Sequence, residues 1–151
     1  MDAIPLFLDG FRAVSGRLER LKELFMEKMH QCVLCIGSNY HAEMHMNIAE
    51  KVLRHYFPCI RWGKTIQTAP EGSIHHAPYL NRAALFETTW DPDILRSFFK
   101  DIEKACGRTP ASKQTGIIPL DIDLLMIDGV VCKPADMQKK YVHLALHGLG
   151  I

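Results

Sequence analysis

The stretch Leu120–Ile127, closed by Asp128-Gly129, constrains this chain more than any other. Its length, apolar content and Asp-Gly stop signal read as a β-strand. Successive strand residues face opposite ways, so Asp121 and Asp123 share a face, roughly 7 Å apart at the Cα atoms. Leu120, Ile122, Leu124 and Met126 are then expected on the other face, in a core. Two carboxylates side by side on a partly buried strand repel each other and lose hydration, unless a cation lies between them. Mg²⁺ suits such a pair, because it takes one or two carboxylates and completes its shell with water and phosphate oxygens. The same spacing also fits an exposed hairpin strand with two solvated aspartates, and the motif alone leaves both readings open.

The rest of the chain supplies partners for that strand. Cys32–Ile36 is a continuous apolar run ending at Gly37-Ser38-Asn39, the pattern of a buried central strand entering a turn. A strand places Cys32 and Cys35 on opposite faces, so they are read as core thiols rather than a metal or redox pair. A helix over 41–56 follows, with Ile48, Ala49, Val52, Leu53 and Tyr56 on one face, and with His41 and His45 read as solvated residues near its start. Ile60–Thr68 and Tyr79–Glu87 read as two strands joined by a long loop rich in Pro, Gly and His, a length usually kept for function. Asp91, Pro92 and Asp93 suit the N-cap and first turn of a helix. Its apolar face is Ile94, Leu95, Phe98, Phe99, Ile102 and Cys106, and Gly107 ends it. Arg108–Pro119 is a polar loop into the Asp strand, Val130–Cys132 a short hairpin return, and Tyr141–Leu146 a last strand by its alternation. The order strand, helix, strand, strand, helix, strand predicts an α+β fold. It is a ferredoxin-like βαββαβ unit with a four-stranded antiparallel sheet and two helices on one face.

Residues 1–30 read as an N-terminal helical extension to a domain over 31–151. Phe11, Val14, Leu18, Leu21 and Phe25 recur at steps of three and four between charged residues, as in an amphipathic helix. The helix could pack on its own domain, pair with a second copy or touch a membrane surface; its mixed charges disfavour the membrane. At 151 residues the chain makes one domain with a proper core. A net charge of +1 argues against a broad nucleic-acid surface. No apolar run is long enough to span a bilayer and no secretory signal is evident. With five cysteines in no small-scaffold pattern, a reduced cytoplasmic setting is expected.

Four motifs then stand in one order: Gly37-Ser38-Asn39; Thr68-Ala69-Pro70-x-Gly72 before Tyr79-Leu80-Asn81; Ile102-Glu103 leading to Gly107-Arg108; and Leu120-Asp121-Ile122-Asp123-Leu124-Leu125. Together, over about Gln31 to Leu146, they resemble the 6-hydroxymethyl-7,8-dihydropterin pyrophosphokinases of folate biosynthesis. The resemblance implies transfer of diphosphate from ATP to the pterin hydroxymethyl oxygen, giving AMP and the pterin diphosphate, with two Mg²⁺ ions between the Asp pair and the triphosphate. Carried over by position, Asp121 and Asp123 are the metal ligands and, with Arg108, the catalytic residues. Asn39, Thr68, Ala69, Pro70 and Asn81 belong to the pterin side. Glu103, Arg108 and Lys140 belong to the ATP side. The implied partners are these two small molecules, with no nucleic acid and no membrane, in a monomer or a homodimer formed through the N-terminal helix.

The departures fall on the phosphate side. The family's Trp-Gly-Pro-Arg-Thr before the Asp pair is here Thr115-Gly116-Ile117-Ile118-Pro119, so Ile118 stands where a phosphate-binding Arg is usual and Thr115 where an aromatic is. A further basic position falls on Pro110, the later Arg is Lys140, and the aromatic two places on is Val142. The family's usual Pro-His-Pro and C-terminal tail are not matched in this sequence, and residues 1–28 precede the family's usual start. Three readings stay open at this point: a pyrophosphokinase with a pared-down nucleotide site, a weak or inactive homologue that binds a pterin or nucleotide, and another Mg²⁺-dependent transferase on the same fold.

Overall fold

A computed structural model describes residues 16–23, 28–69 and 77–149. Its centre is β1 (His30–Ser38), buried from Cys32 to Ser38. Burial of consecutive residues means that both faces of the strand are covered. Cys32, Leu34 and Ile36 enter one core, and Val33 and Cys35 a second. The two thiols thus lie on opposite faces as expected, and burial pushes each up to about 12, as in inert core cysteines.

The chain continues through α1 (Ala42–Tyr56), β2 (Arg61–Thr68), β3 (Tyr79–Thr88), α2 (Pro92–Ala105), a single turn α3 (Ser112–Thr115), β4 (Asp121–Ile127), β5 (Val130–Val131), a second short turn α4 (Pro134–Met137) and α5 (Lys140–His147). The strands form one antiparallel sheet in the order β2-β3-β1-β4-β5. The first four strands and two long helices follow the expected βαββαβ order. The sheet has five strands rather than four, because β5 adds to the edge of β4. The Asp128-Gly129 hairpin that makes this addition has positive φ at both residues, 50° and 78°, as a two-residue turn matched to strand twist requires.

Met46, Ala49 and Leu53 of α1 and Leu95, Phe99 and Ile102 of α2 fill the first core against Leu34, Ile36, Leu120, Ile122 and Leu124. Asp91 occupies the N-cap position of α2 without a side-chain cap bond, and Gly107 follows its end at φ 97°. Three residues assigned to apolar faces lie outside the core: Ile48 and Tyr56 of α1 and Ile94 of α2 are exposed. His45 is corrected in the opposite direction. It is buried, and its Nδ1 lies 2.6 Å from the Tyr40 carbonyl.

The largest correction concerns Tyr141–Leu146, which is helix α5 and not a strand. Val142, Leu144 and Leu146 alternate, but Val142, Ala145, Leu146 and Leu149 also step by three, four and seven. The structure uses the second pattern: these four are buried in the second core while Leu144 is half exposed. α5 lies across β2 and β3 on the face opposite α1 and α2. Gly63 of β2 is where the two backbones meet. A Cβ there would come within 2.9 Å of the Ala145 carbonyl oxygen and 3.3 Å of Leu149 Cγ. Gly63→Ala must therefore displace α5. We expect a loss of about 2 kcal/mol and a fall in Tm of roughly 4–8 °C, read by thermal melting.

A β-bulge sets the faces of β4. Leu34 pairs with Leu124 but Val33 pairs with Met126, leaving Leu125 as the extra residue. Met126 therefore packs against the second core, not with Leu120, Ile122 and Leu124 as strict alternation predicts. Asp121 and Asp123 precede the bulge and keep the shared face expected of them. Residues 16–23 are helical, with Leu18 and Leu21 exposed. Phe11, Val14 and Phe25, the rest of the expected amphipathic face, lie outside the described residues, as do residues 70–76 of the long loop.

Candidate active site

β4 presents the two aspartates beside the C-terminal end of β1. Asp121 pairs with Gly37 and Asp123 with Cys35. Each carboxylate carries one cationic neighbour. Arg108 donates from Nη1 to Asp121 Oδ1 at 2.6 Å, and Lys133 donates from Nζ to Asp123 Oδ1 at 2.6 Å. Arg108 is further held by the Leu120 carbonyl at 3.3 Å and by Glu103 at 3.5 Å. Glu103 is buried, and its other oxygen accepts the Ile122 backbone N–H at 2.8 Å. Glu103 thus ties α2 to β4 and aims Arg108 at the aspartate.

These cations do not fully offset the pair. Burial, and then the charge of Asp121, push the Asp123 carboxyl up to about 7. Asp121 meets the same burial, but hydrogen bonds to Asp123 and Arg108 hold it below the ordinary carboxylate value. The pair therefore holds a proton more tightly than an ordinary carboxylate, the behaviour of a site short of positive charge. Among the described residues, no group of three or more His, Cys, Asp and Glu converges on one point. The donor set is two carboxylates, which is what Mg²⁺ takes from a protein when phosphate and water supply the remaining oxygens.

Two clefts meet at the pair. The first, about 490 Å³, lies between α2 and β4 and is lined by six cationic side chains against three carboxylates. Arg96, Lys100 and Lys104 stand one turn apart along α2, Lys113 comes from α3, and Arg108 and Lys133 flank the aspartates. The second, about 510 Å³, opens on the face of the sheet carrying α5. It is lined by Asn81, Thr68, Ala69, Tyr79, Ile66 and Leu144 among others. Asp121 and Asp123 line both. Asn81 is buried beneath Gly37, where a Cβ would stand 2.8 Å from the Asn81 Oδ1, so the missing side chain makes room for the amide.

A family model described as 7,8-dihydro-6-hydroxymethylpterin-pyrophosphokinase matches residues 33–150. The chain belongs to this pterin pyrophosphokinase family. The match runs from within β1 through α5, so the family fold frames the site. No curated protein matches by sequence. Among solved structures, a Burkholderia cenocepacia protein described as an amidohydrolase/peptidase is similar at 15% identity with a TM-score of 0.36. It covers 82% of this chain, which spans 34% of that protein's length.

The expected pyrophosphokinase residues fall into four groups. Asp121, Asp123, Arg108 and Glu103 come together at the first cleft, and Thr68, Ala69, Asn81 and Lys140 at the second. Lys140, expected on the ATP side, thus lies across the aspartates from the basic cleft. Pro70 lies outside the described residues. Asn39 lines neither cleft: it is buried, receives the Ile118 N–H at 2.6 Å and donates to the Gly116 carbonyl at 2.6 Å. Asn39 thereby latches the segment before β4 to the end of β1. Ile118, in the position of the usual arginine, is buried behind that latch and does not face the cleft.

Sequence reasoning missed Lys133 and the basic row on α2. Both had a signal. Arg96, Lys100 and Lys104 recur every four residues between the apolar positions of one helix. The two-residue hairpin pairs Val131 with Met126, and the Cys132 N–H reaches the Leu125 carbonyl at 2.7 Å, so the next residue arrives alongside Asp123.

Proposed function

We propose that residues 31–151 form a catalytic domain, with residues 1–30 as its extension, that transfers diphosphate from ATP to 6-hydroxymethyl-7,8-dihydropterin. The products are AMP and the pterin diphosphate. The observation that carries this reading is the position of Asp121 and Asp123 in the wall common to two clefts of opposite character. The basic cleft suits a triphosphate, and the cleft holding Asn81 suits a flat, hydrogen-bonding heterocycle. A reaction joining one to the other takes place at the shared wall.

In this reading Asp121 and Asp123 hold Mg²⁺, which when bound supplies charge neutralisation to the phosphoryl groups in transfer. Arg108 holds Asp121 in place from the phosphate side. Lys100, Lys104 and Lys113 attract and orient the polyphosphate. Asn81 reads the heterocycle edge, with Thr68 and Ala69 at the cleft rim and Lys140 at its mouth. The test is AMP formation from ATP and Mg²⁺ with reduced hydroxymethylpterin present or omitted. AMP that appears only with the pterin supports the reading, and AMP formed equally without it refutes the proposed acceptor.

One observation favours a second reading, a pterin- or nucleotide-binding module without the reaction. Arg108 and Lys133 already neutralise much of the Asp pair, and Ile118 offers no donor to a phosphate. Pterin binding without AMP formation is the outcome that this reading requires. For location, no helix among the described residues is long and apolar enough to cross a membrane.

A further inference from the structure

Lys133 and Arg108 make equally short contacts to the aspartate pair, yet they are held very differently. Arg108 has three anchors, Asp121, Glu103 and the Leu120 carbonyl, and its side chain is 20% exposed. Lys133 has one, Asp123, and its side chain is 48% exposed. Its backbone, by contrast, is fixed. The Cys132 N–H bonds the Leu125 carbonyl at 2.7 Å, and the Met137 N–H bonds the Lys133 carbonyl at 3.1 Å. A flexible four-carbon stem therefore swings from a fixed point at the edge of the first cleft, with a compact ammonium at its tip. Half-exposed ion pairs of this kind contribute little to folding, so little is lost when this one opens. The opposite wall of the cleft carries Lys100, Lys104 and Lys113, which make no ion pair among the described residues.

We propose that Lys133 is an exchangeable counter-ion: it occupies Asp123 while the site holds no metal, and moves to a phosphate oxygen when a metal-bound nucleoside triphosphate enters. The proposal rests on the reading of the first cleft as the triphosphate site. It gives the phosphate side a donor where Ile118 is buried and has none to offer. The exchange conserves charge. A divalent cation replaces an ammonium on the carboxylate, and the ammonium replaces water on the phosphate. Lys133 then opposes metal binding without nucleotide and favours nucleotide binding with metal, two effects of opposite sign that a purely structural lysine does not produce.

The experiment compares wild type, Lys133→Gln and Lys133→Arg by calorimetry. One titration uses Mn²⁺ alone, and the second uses a non-hydrolysable ATP analogue at saturating Mg²⁺. Lys133→Gln is expected to bind Mn²⁺ alone several-fold more tightly, and the metal–nucleotide about tenfold more weakly. Lys133→Arg keeps a cation on a flexible side chain of similar reach and is expected to stay nearer wild type than Lys133→Gln in both titrations. Equal melting temperatures show that all three are folded. If Lys133→Gln matches wild type in both titrations, or weakens both, Lys133 is not an exchangeable counter-ion, while wild-type nucleotide binding that is lost in Asp121→Ala, Asp123→Ala keeps the triphosphate reading intact. A wild type that binds neither metal nor nucleotide overturns both.

Discussion

Replacing Asp121 and Asp123 together by alanine is expected to lower pterin-dependent AMP formation on the order of 10³-fold or more, with the protein still folded. The size of the effect follows from where the carboxylates stand. They line both clefts, so in the proposed reading their loss removes the metal donors and the wall at which the two substrates would meet. Folding should survive for a separate reason. The pair is a repulsive feature of the metal-free protein, and burial and mutual charge already push Asp123 up to about 7. Arg108 keeps Glu103 and the Leu120 carbonyl, and Lys133 is free to turn to water. The variant's Tm is therefore expected to equal or exceed that of wild type without metal, while its activity is gone. Retained AMP formation in the variant would move the chemistry away from β4. A variant that unfolds would show that the pair is structural, against the repulsion argued here.

The parts of this site legible in the sequence are those that a single period or a single turn determines. Alternation placed Asp121 and Asp123 on one face, and the Asp-Gly hairpin followed from residues that tolerate positive φ. The continuous apolar run of β1 announced a strand covered on both faces. Local pattern was insufficient where two periods coincide, as in Tyr141–Leu146. There the choice between strand and helix was made by an open sheet face needing cover, with Gly63 allowing close approach. It was also insufficient where contact depends on register. One extra residue at Leu125 turned Met126 over, and hairpin register brought Lys133 to Asp123. Motif position likewise does not distinguish a residue facing a ligand from one supporting the wall behind it. Asn39 and Glu103 both stand at motif positions, and both are buried with oxygens that accept backbone N–H groups of the segment around β4. Asn39 positions the site from behind, and Glu103 does so from within the cleft wall.

Glu103 allows that distinction to be measured. Glu103→Ala leaves the buried Ile122 N–H without its acceptor and removes one carboxylate from Arg108. An orphaned buried donor and a broken, largely buried ion pair together are expected to cost about 3 kcal/mol, or roughly 6–12 °C in Tm. Glu103→Gln keeps an oxygen for the Ile122 N–H and lowers stability far less. Its effect also depends on pH. Burial is the largest influence on Glu103 and raises its carboxyl above 4.5, opposed by the Ile122 N–H and, more weakly, by Arg108. A raised folded-state value means that, above pH 4.5, the folded protein holds a proton the unfolded chain has released. Stability from this group therefore falls as pH rises through that window. Glutamine cannot ionise and lacks this slope, so Glu103→Gln should gain stability relative to wild type between pH 4.5 and pH 7.5. Chemical denaturation at the two pH values reads the change directly. A ligand-facing glutamate, hydrated in the folded state, would leave the difference constant with pH. If the group instead acts from behind the wall, the slope appears without nucleotide, and catalysis falls in proportion to how far Arg108 loses its aim at Asp121.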